Sequence, residues 1–520
     1  MLARDLVVIE ASGKLRQVHR VLDAIGLRAN CLATLGHVLE SPAHLRPLAI
    51  RRDASGVYHE TKRVPPRPDA HARLCEAIRS LRGRLFIATD DDQEGHAIAW
   101  DVASIARKLR PELVPLRLLA GAITEDEFRS ALARARPVDL QPATPAIARR
   151  IADRTIASAL SRPEDGLVVG RIAAAVAGLA RDGALPGGTV TLQLAAQDGR
   201  GPFVAQAQVR DAAEADELLA LAQRSGAVAA TGPAQPCALQ APPTLASFLM
   251  AMNEGEALSL SRAAQLLQGM YEKGIVSYPR TAGQQYRTET RARLAQQAQA
   301  HGVHATRLGT PADTAGQVHE PLHVVDPRSI AELSLVRPSH LQRDDQSIAL
   351  AWISRQMFAS LVTVQRASGD VRSLPEPLAK LDWQRDTGAI PSWYRRPRAG
   401  YRAYTPAQSL LQGMVNAGIG RPSTYAGHVT RAIERGIVAA DNALGAEGLR
   451  MLHAVPMALS RASTAREIEE GSELAPSAGI GPTVDHLLAL AVGPMPALMG
   501  QVAELLRSQE EDEPAHAFAP

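Results

Sequence analysis

The segment FIATDDDQEGHAIAW carries four carboxylates within five consecutive positions, where an apolar run gives way to a helical pattern. These side chains, Asp90, Asp91, Asp92 and Glu94, would repel one another unless solvent or a counter-charge screened them. A solvated turn at a helix N-terminus is one interpretation, because acidic side chains are favourable there. A Mg²⁺ site is the other, because this ion prefers carboxylate oxygens. Glu10, which ends another apolar run, favours the metal site.

A second candidate group lies in the segment GIVSYPRTAG, where Tyr278 is followed by Pro279 and Arg280. A phenol is a poor nucleophile unless its surroundings activate it. A nearby guanidinium can stabilise both a phenolate and a pentacovalent phosphate. Taken alone, the same tyrosine also fits a packing role at a corner between a helix and a loop.

The segment HEPLH matches the H-E-x-x-H pattern of zinc proteases, with His319 and His323 as the two ligands. That chemistry needs both histidines one turn apart on a helix. Pro321 lies between them and would disrupt a helix, so we expect no zinc hydrolase site. The three cysteines are far apart in the chain and predict neither a zinc site nor a disulfide framework.

Short apolar strands alternate with helical patterns through residues 6–136, which predicts a parallel β-sheet covered by helices. In such sheets ligands bind at the carboxyl ends of the strands. Glu10 and Asp90 each end a predicted strand, so we expect both at one edge of the sheet. Thr124 and Glu127 have the spacing of a capping box and predict the start of a helix.

The remainder of the chain predicts helices interrupted by a β-rich region. Two similar helix-and-turn units, AAQLLQGMYEKGI and AQSLLQGMVNAGI, are each followed by a loop with a Tyr and an Arg, which suits nucleic acid. Two ordinary helices with similar caps would look the same. The predicted parts are helices in residues 142–180, a β-hairpin in 187–210, a boundary at 232–244, helices to residue 358, an irregular or β segment at 375–404, and helices to residue 506.

The composition indicates a globular, mildly basic protein of several domains. A length of 520 residues suggests roughly three to four domains, and 46% apolar residues can form packed cores. The net charge of +3 permits nucleic-acid binding without requiring it. No apolar run approaches the roughly 20 residues of a membrane span, and the first apolar run is too short for a signal peptide, so we expect a cytoplasmic protein with no membrane contact.

A set of motifs in a fixed order closely resembles the type IA DNA topoisomerases, and the SYPRT form is most similar to their topoisomerase III branch. The resemblance covers residues 6–438. It is carried by the segments VVIEASGK, TLGH, ATDDDQEGHAIAW, GRIAAAV, EKGIVSYPRT, VHEPLH and GIGRPSTYAGHV.

The resemblance implies a multidomain protein of α/β and α architecture. It would have an N-terminal Toprim domain with a parallel sheet, helical CAP-like domains and a β-rich arch, together closing a toroid. The implied divisions are a Toprim domain at 1–140, a helical single-strand-binding gate domain at 141–185 and 405–506, an arch at 186–240 and 359–404, a domain carrying the nucleophilic tyrosine at 241–358, and a disordered acidic tail at 507–520.

The activity implied is transient cleavage and rejoining of single-stranded DNA, which relaxes negative supercoils or decatenates. Tyr278 would attack a phosphodiester and hold the 5′ phosphate covalently, so the bond's energy is conserved and no ATP is needed. The catalytic residues implied are Tyr278, Arg280, Glu10, Lys14 and His319, the Mg²⁺ ligands are Asp90, Asp92, Glu94 and Glu10, and the DNA-binding residues are His37, Arg149, Arg171, Arg421, Ser423 and Tyr425.

The resemblance also implies partners and cofactors. We expect a monomer that binds single-stranded regions of DNA, is associated with the nucleoid, and works with a helicase or recombination partner. Mg²⁺, with Mn²⁺ as a substitute, would be the metal, and neither ATP nor zinc would be required. The zinc-binding Cys-x-x-Cys ribbons of relatives are not expected, since no such pair follows Val438.

Several positions depart from the family pattern, and two other functions therefore stay open. Gln93 stands where the family has Arg, His96 where it has Glu, and Ala282-Gly283 where it has Asp-Ser; Gly13 replaces a proline of the first loop. Another Toprim enzyme, a nuclease or a primase, would leave the tyrosine motif and GIGRPSTY unexplained. A non-catalytic DNA-binding relative is the other alternative. For His37 and Tyr425 a packing role is open as well.

Overall fold

The N-terminal part of the chain is an α/β unit, as the alternation of strands and helices predicts. The structure is a computed structural model and describes residues 4–303, 319–331, 344–388 and 390–507. The elements of this part are β1 (Asp5–Ile9), α1 (Leu15–Ala24), β2 (Ala29–Ala33), β3 (Ile50–Arg52), β4 (Tyr58–Glu60), α2 (Pro68–Ser80), β5 (Leu85–Ile87), α3 (Gln93–Leu109), β6 (Leu116–Arg117), α4 (Glu125–Ala133) and β7 (Arg136–Pro137).

A five-stranded sheet has the order β2-β1-β5-β6-β7, and all of its neighbours are parallel except β6 and β7. The interior strand β1 reads DLVVI because both of its faces are buried. Val7 and Ile9 pack into one apolar core, and Leu6 and Val8 pack into another on the opposite face. Because successive side chains of a strand point to opposite faces, this burial pattern fixes the face that each residue meets up to the end of the strand, where the acidic side chains lie.

Helices follow in the next part of the chain, and a mixed segment comes after them. The helices are α5 (Thr144–Leu160) and α6 (Arg171–Arg181). The mixed segment contains β8 (Gly188–Leu194), β9 (Phe203–Val209), α7 (Ala212–Arg224) and β10 (Gln235–Ala238), and a helical segment then contains α8 (Leu245–Met252), α9 (Leu260–Glu272), α10 (Thr288–Ala300) and α11 (Asp345–Leu361).

The chain then returns to strands before it ends in helices. The strands are β11 (Thr363–Ser368), β12 (Gln384–Thr387) and β13 (Gly400–Ala403). The helices are α12 (Pro406–Ala417), α13 (Tyr425–Glu434), α14 (Ala446–Ala454), α15 (Ala462–Ser472), α16 (Ala475–Ala478), α17 (Ile480–Val492) and α18 (Pro496–Arg507).

Strands from two distant parts of the chain form a single antiparallel sheet, which we call the arch sheet. Its order is β10-β11-β12-β9-β8-β13. The hairpin of β8 and β9 matches the alternation seen in the sequence, and β13 pairs with β8. The helical segment between β10 and β11, which carries Tyr278, is therefore bounded by two paired strands.

Two local predictions need correction. Thr124 does cap α4 by accepting the N–H of Glu127, but Glu127 accepts the N–H of Gly121 instead of completing the box. The strand predicted at PLRLLAGA is only two residues long. Its Arg117 turns into the protein to bind backbone carbonyls, which ends the regular pairing. In the described residues no helix combines the length and the apolar character that a membrane crossing needs. The predicted tail lies outside the described residues beyond Arg507.

Candidate active site

Parallel pairing of β1 with β5 brings Glu10 and Asp90 to the same edge of the sheet, as expected. Asp90 is almost fully buried, and Lys14, equally buried, forms an ion pair with it. The Lys14 ammonium also lies 4.7 Å from the ring centre of Tyr271. Lys14, predicted to contact phosphate, is thus held by a carboxylate in this DNA-free structure.

Arg117 is a buried cation beneath the acidic turn that the sequence analysis did not single out. Its guanidinium donates to the carbonyl oxygens of Thr89 and Asp90, both at 2.8 Å. Burial lowers the pKa of Arg117 to about 10, against the pull of the neighbouring carboxylates. The sequence signal was a lone arginine in an apolar strand, a position that calls for a buried partner. Its charge helps a cluster of acids to fold without a metal.

Glu10 is positioned as a group that can gain or lose a proton near neutral pH. Burial, and then the charge of Asp90, raise the pKa of Glu10 to about 7, although Arg280 and Lys14 oppose the shift. Its Oε1 lies 3.8 Å from Arg280 Nη1. Its Oε2 is buried and, within the described part of the chain, has no hydrogen-bond partner. A buried oxygen of this kind is available to a ligand or a cation.

Asp92 connects the acidic turn to the tyrosine segment. Its Oδ1 accepts the N–H of Gly95 at 2.7 Å and so caps α3. Its Oδ2 accepts a hydrogen bond of 2.5 Å from the Tyr278 hydroxyl. Gly95 is required at this tight turn, because a Cβ there would lie 2.1 Å from the carbonyl oxygen of Asp90. The cap therefore fixes the carboxylate that meets the tyrosine.

Tyr278 lies beyond the end of α9, buried between the acidic turn and two aromatic rings. Its ring centre lies 4.9 Å from that of His319 and 5.6 Å from that of Tyr271. Burial and the carboxylates of Asp92 and Asp90 raise the pKa of the Tyr278 phenol well above its usual value. The phenol is therefore protonated at neutral pH in this arrangement, and it needs a change in local charge to act as a nucleophile.

Arg280 lies between the two acids that flank the tyrosine. Its Nη1 is 3.8 Å from Glu10 Oε1 and 3.8 Å from Asp92 Oδ2. These distances leave the guanidinium close to the phenol without a tight hydrogen bond to either acid. A phosphate group placed beside Tyr278 would therefore find a nearby cation.

The residues around His319 explain two of the departures from the family pattern. Gly283 is needed because a Cβ would lie 2.2 Å from the carbonyl oxygen of His319. Nε2 of His96 lies 3.5 Å from Oδ1 of Asp91, so the histidine that stands where the family has Glu has a carboxylate partner. Burial lowers the pKa of His319, which keeps the ring neutral beside the tyrosine. Residues 319–323 are not helical, and His323 is buried against the carbonyl of Pro321, so the two histidines lack the geometry of the zinc protease motif.

Glu94 does not join the other three predicted metal ligands in this structure. It accepts a bond of 2.5 Å from Arg149 and lies 3.0 Å from His37. Burial alone would raise the pKa of Glu94, but His37 and Arg149 outweigh it and lower the pKa to about 2. Over the described ranges, no three Asp, Glu, His or Cys side chains converge as metal ligands. Instead, the carboxylates of Asp90, Asp92 and Glu94 are bonded by Lys14, Tyr278 and Arg149, respectively.

The chemistry of the donors nevertheless fits Mg²⁺ at one place. Glu10, Asp90 and Asp92 supply carboxylate oxygens at one sheet edge, and one oxygen of Glu10 is unpartnered. The ammonium of Lys14 forms an ion pair with Asp90 and balances its charge in this arrangement. The three acids would hold the ion once Lys14 and the Tyr278 hydroxyl release their carboxylates.

The predicted DNA-binding arginines meet at two glutamates that the sequence analysis missed. Arg171, from the start of α6, donates to Asp153 and to Glu469 of α15 at 2.8 Å each. Arg421 donates to Glu469 at 2.6 Å and to Glu473 at 3.0 Å. Their sequence signal was the four-residue spacing of Glu469 and Glu473, which places both on one side of a helix. Arg149 lies 3.5 Å from Glu469 as well.

The two remaining predicted DNA contacts lie at the start of α13. Ser423 is exposed, and Tyr425 is half-buried and packs against the apolar core. Among the described residues, no hydrogen bond involves the side-chain hydroxyl of Ser423 or of Tyr425. Both therefore lie beside Arg421 with polar atoms available to a ligand, although Tyr425 also contributes to packing as the alternative interpretation expected.

Comparison with known proteins identifies related sequences and a related fold. The Toprim domain family model matches residues 5–117. DNA topoisomerase 1 of Synechocystis sp. is 24% identical over 528 residues, which cover 83% of this chain and 57% of the relative. DNA topoisomerase 1 of Thermotoga maritima is 26% identical over 160 residues, which cover 30% of this chain and 23% of the relative. The chain thus spans less than two thirds of the length of these relatives.

A solved structure extends the comparison to nearly the whole chain. Full-length topoisomerase I from Thermotoga maritima superposes with a TM-score of 0.62 at 18% sequence identity, over 98% of this chain and 91% of that one. The N-terminal part of the chain therefore matches the Toprim domain, and the chain has the overall fold of topoisomerase I from Thermotoga maritima.

Proposed function

We propose that this protein is a type IA DNA topoisomerase that cleaves and rejoins single-stranded DNA through a covalent 5′-phosphotyrosine, without ATP. The observation that carries the proposal is the contact between the Tyr278 hydroxyl and Asp92, two residues that are 186 positions apart. A nuclease or primase site has no need of a buried tyrosine on its acidic turn. The relatives that are named DNA topoisomerase 1 support the same activity.

For each step of the proposed cleavage and rejoining, this chain has a side chain that could perform it. The phenol oxygen of Tyr278 would attack the phosphorus, with Asp92 placed to take its proton. The 3′ oxygen would leave with a proton from Glu10, whose raised pKa suits that transfer. Arg280 would stabilise the charge of the pentacovalent phosphate. The reverse steps restore the phosphodiester and return the proton to Glu10.

Toprim domains generally bind Mg²⁺, and we propose this ion, with Mn²⁺ as a substitute, at Asp90 and Asp92, with Glu10 as a third ligand only while its carboxyl is deprotonated. When bound it would supply positive charge beside the reacting phosphate and offset the carboxylates. Lys14 would be released from Asp90 and become free to contact a phosphate of the DNA. The metal-binding role of Glu94 stays a prediction, since its carboxylate is bonded here by His37 and Arg149.

The division into domains follows the same proposal. The gate domain would be residues 141–185 with 405–506, the arch 186–240 with 359–404, and the tyrosine domain 241–358. The pairing of strands across the arch sheet supports a discontinuous arch. We propose single-stranded DNA as the partner; the topoisomerase III branch, a helicase or recombination partner, and the monomeric state stay predictions.

The test uses the Tyr278→Phe variant, which removes one oxygen and leaves the packing of the ring almost unchanged. The wild type, stopped with denaturant on end-labelled single-stranded DNA, should give an adduct joined to the 5′ side of the break. Tyr278→Phe should give neither cleavage nor adduct. Tyr286→Phe is the matched control, because Tyr286 is equally buried in the same segment, and it should behave as the wild type does.

Other outcomes separate the alternatives. Cleavage without an adduct, retained in Tyr278→Phe, would identify a Toprim nuclease. Binding of single-stranded DNA without cleavage in the wild type would identify a non-catalytic relative. Either result would overturn the proposed function.

A further inference from the structure

Glu473, the residue that follows α15, accepts hydrogen bonds from two side chains of the predicted single-strand groove. Its Oε1 accepts from Arg421 Nη2 at 3.0 Å and from the amide of Gln93. Gln93 in turn accepts a bond of 2.9 Å from Arg149 through its own oxygen. The carboxylate thus reaches two of the predicted DNA-binding arginines, one directly and one through an amide.

A carboxylate held by a guanidinium and an amide N–H occupies the kind of site that a phosphate would take. Guanidinium groups bind carboxylates and phosphates with the same two-pronged geometry. We propose that Glu473 takes the place of a DNA phosphate in the free protein and thereby sets its affinity for single-stranded DNA. This inference rests on the proposed function, since it needs the groove to be a DNA site.

The exposure of the two glutamates distinguishes their roles. The Glu469 side chain is 13% exposed and is bonded by Arg171 and Arg421, so it belongs to the framework of the groove. The Glu473 side chain is 55% exposed, so water can solvate it as soon as it leaves Arg421. An exposed ion pair costs little to exchange. A phosphate can therefore displace Glu473 and leave Glu469 in place.

The contact to Glu473 depends on Gln93, which stands where the family has Arg. Its amide both accepts from Arg149 and donates to Glu473, which an arginine at this position could not do. The link joins the start of α3, next to the acidic turn, to the residue after α15. Displacement of Glu473 by DNA would therefore release Nη2 of Arg421 and the amide N–H of Gln93 together, while Glu469 and Arg149 keep their own bonds to these two side chains.

The experiment measures the binding of a fluorescent single-stranded oligonucleotide by anisotropy, in EDTA so that no chemistry occurs. Glu473→Gln keeps the shape and removes the charge, so we expect affinity at low salt to rise about threefold to fivefold. The slope of log K against log salt should steepen by about 1, because one more phosphate is neutralised. Glu470→Gln is the matched control, since Glu470 lies on α15 with its side chain 71% exposed and forms an ion pair with Arg466.

The outcomes separate this inference from the proposed function. Equal affinities for Glu473→Gln and Glu470→Gln would overturn the role of Glu473, and a lower melting temperature for Glu473→Gln alone would show a purely structural ion pair. If the wild type makes no adduct but Glu473→Gln still binds more tightly than Glu470→Gln, the proposed function fails and the role of Glu473 stands. If no variant binds the oligonucleotide, both fail.

Discussion

The hydroxyl of Tyr278 donates a hydrogen bond of 2.5 Å to Oδ2 of Asp92. The bond orients the phenol, and the negative charge of the same carboxylate helps to keep it protonated. The phenol of Tyr278 is thus positioned and held in its protonated form. A cation that neutralises Asp92 would weaken this restraint while leaving the tyrosine in place.

Asp92→Asn tests the predicted metal dependence with little disturbance to the fold. Asparagine caps a helix as well as aspartate does, so α3 should keep its start and the melting temperature should hardly change. Loss of one anionic ligand should lower Mg²⁺-dependent relaxation of supercoiled plasmid about 100-fold or more. Asp91→Asn removes a neighbouring charge and should have a much smaller effect. Full relaxation by Asp92→Asn, or by the wild type in EDTA, would contradict the prediction.

Asp90→Asn should destabilise the protein, because it leaves the buried ammonium of Lys14 without an anion. Breaking one side of a buried ion pair costs about 3–5 kcal/mol. Urea unfolding should show this loss. Asp90→Asn combined with Lys14→Met should recover part of the stability, since the lone charge is gone. A double variant less stable than Asp90→Asn alone would refute the pairing.

Glu469 should make the protein sensitive to acid. Burial alone would raise its pKa, but Arg171, Arg149 and Arg421 lower it to about 2, below the ordinary value of 4.5. A carboxyl with a depressed pKa stabilises the fold fully above the unfolded pKa, and the stabilisation disappears as the pH falls from about 4.5 towards 2. The contribution at neutral pH is on the order of 3 kcal/mol.

Melting temperatures at pH 7 and pH 3 measure this effect. Glu469→Gln should melt well below the wild type at pH 7, and the difference should shrink at pH 3. Glu470→Gln, with its exposed side chain, should track the wild type at both pH values. A Glu469→Gln deficit that is the same at both pH values would show that its charge is not the cause.

Single-stranded DNA should bind far better than blunt duplex, with a strong dependence on salt. Aromatic residues make up only 3% of the chain, so contacts between arginines and phosphates should provide most of the affinity. Anisotropy titrations with the two DNA forms at several salt concentrations test this directly. Equal affinities, or binding that ignores salt, would count against the groove.

Gly283→Ala should lower cleavage by displacing His319 from the ring of Tyr278. A Cβ at position 283 would lie 2.2 Å from the carbonyl oxygen of His319, so the backbone must shift. Gly269→Ala is the control, since Gly269 lies within α9 and, outside its chain neighbours and its own helix backbone, no atom of the described residues lies within 4 Å of the added carbon. It should leave adduct formation unchanged and stabilise the helix by about 1 kcal/mol. Normal adduct yield in Gly283→Ala would show that the position of His319 is unimportant.

The meeting of Glu10 and Asp90 could be predicted from the sequence, because parallel strands buried on both faces appear as apolar runs and their carboxyl ends share one edge. The contact of Tyr278 with the acidic turn had support only from a family resemblance. Local spacing says nothing about which distant helix packs on a strand end. The half-formed capping box shows a similar limit, because the carboxylate of Glu127 accepts the N–H of Gly121 instead of that of Thr124.

The partners of the buried charges could not be predicted in the same way. Lys14 was expected at phosphate and lies on Asp90, and Arg421 was expected at DNA and lies on Glu469 and Glu473. Both expectations came from the family resemblance, which implies contacts with DNA and gives no information on the partners within the protein. Which group supplies it in the free protein depends on tertiary packing.

The segment that carries Tyr278 leaves the arch sheet and returns to it at neighbouring points, since Ala238 of β10 is paired with Thr363 of β11. Opposed residues of antiparallel strands have Cα atoms about 5 Å apart. A short turn in place of residues 239–362 would make β10 and β11 an ordinary hairpin and keep the strand order of the arch sheet. For protein engineering, the residue proposed as the nucleophile is thus carried on an insertion, and chimaeras that take this segment from a relative would have two neighbouring junctions in the arch sheet but would need to keep its contacts with Asp92 and Glu10.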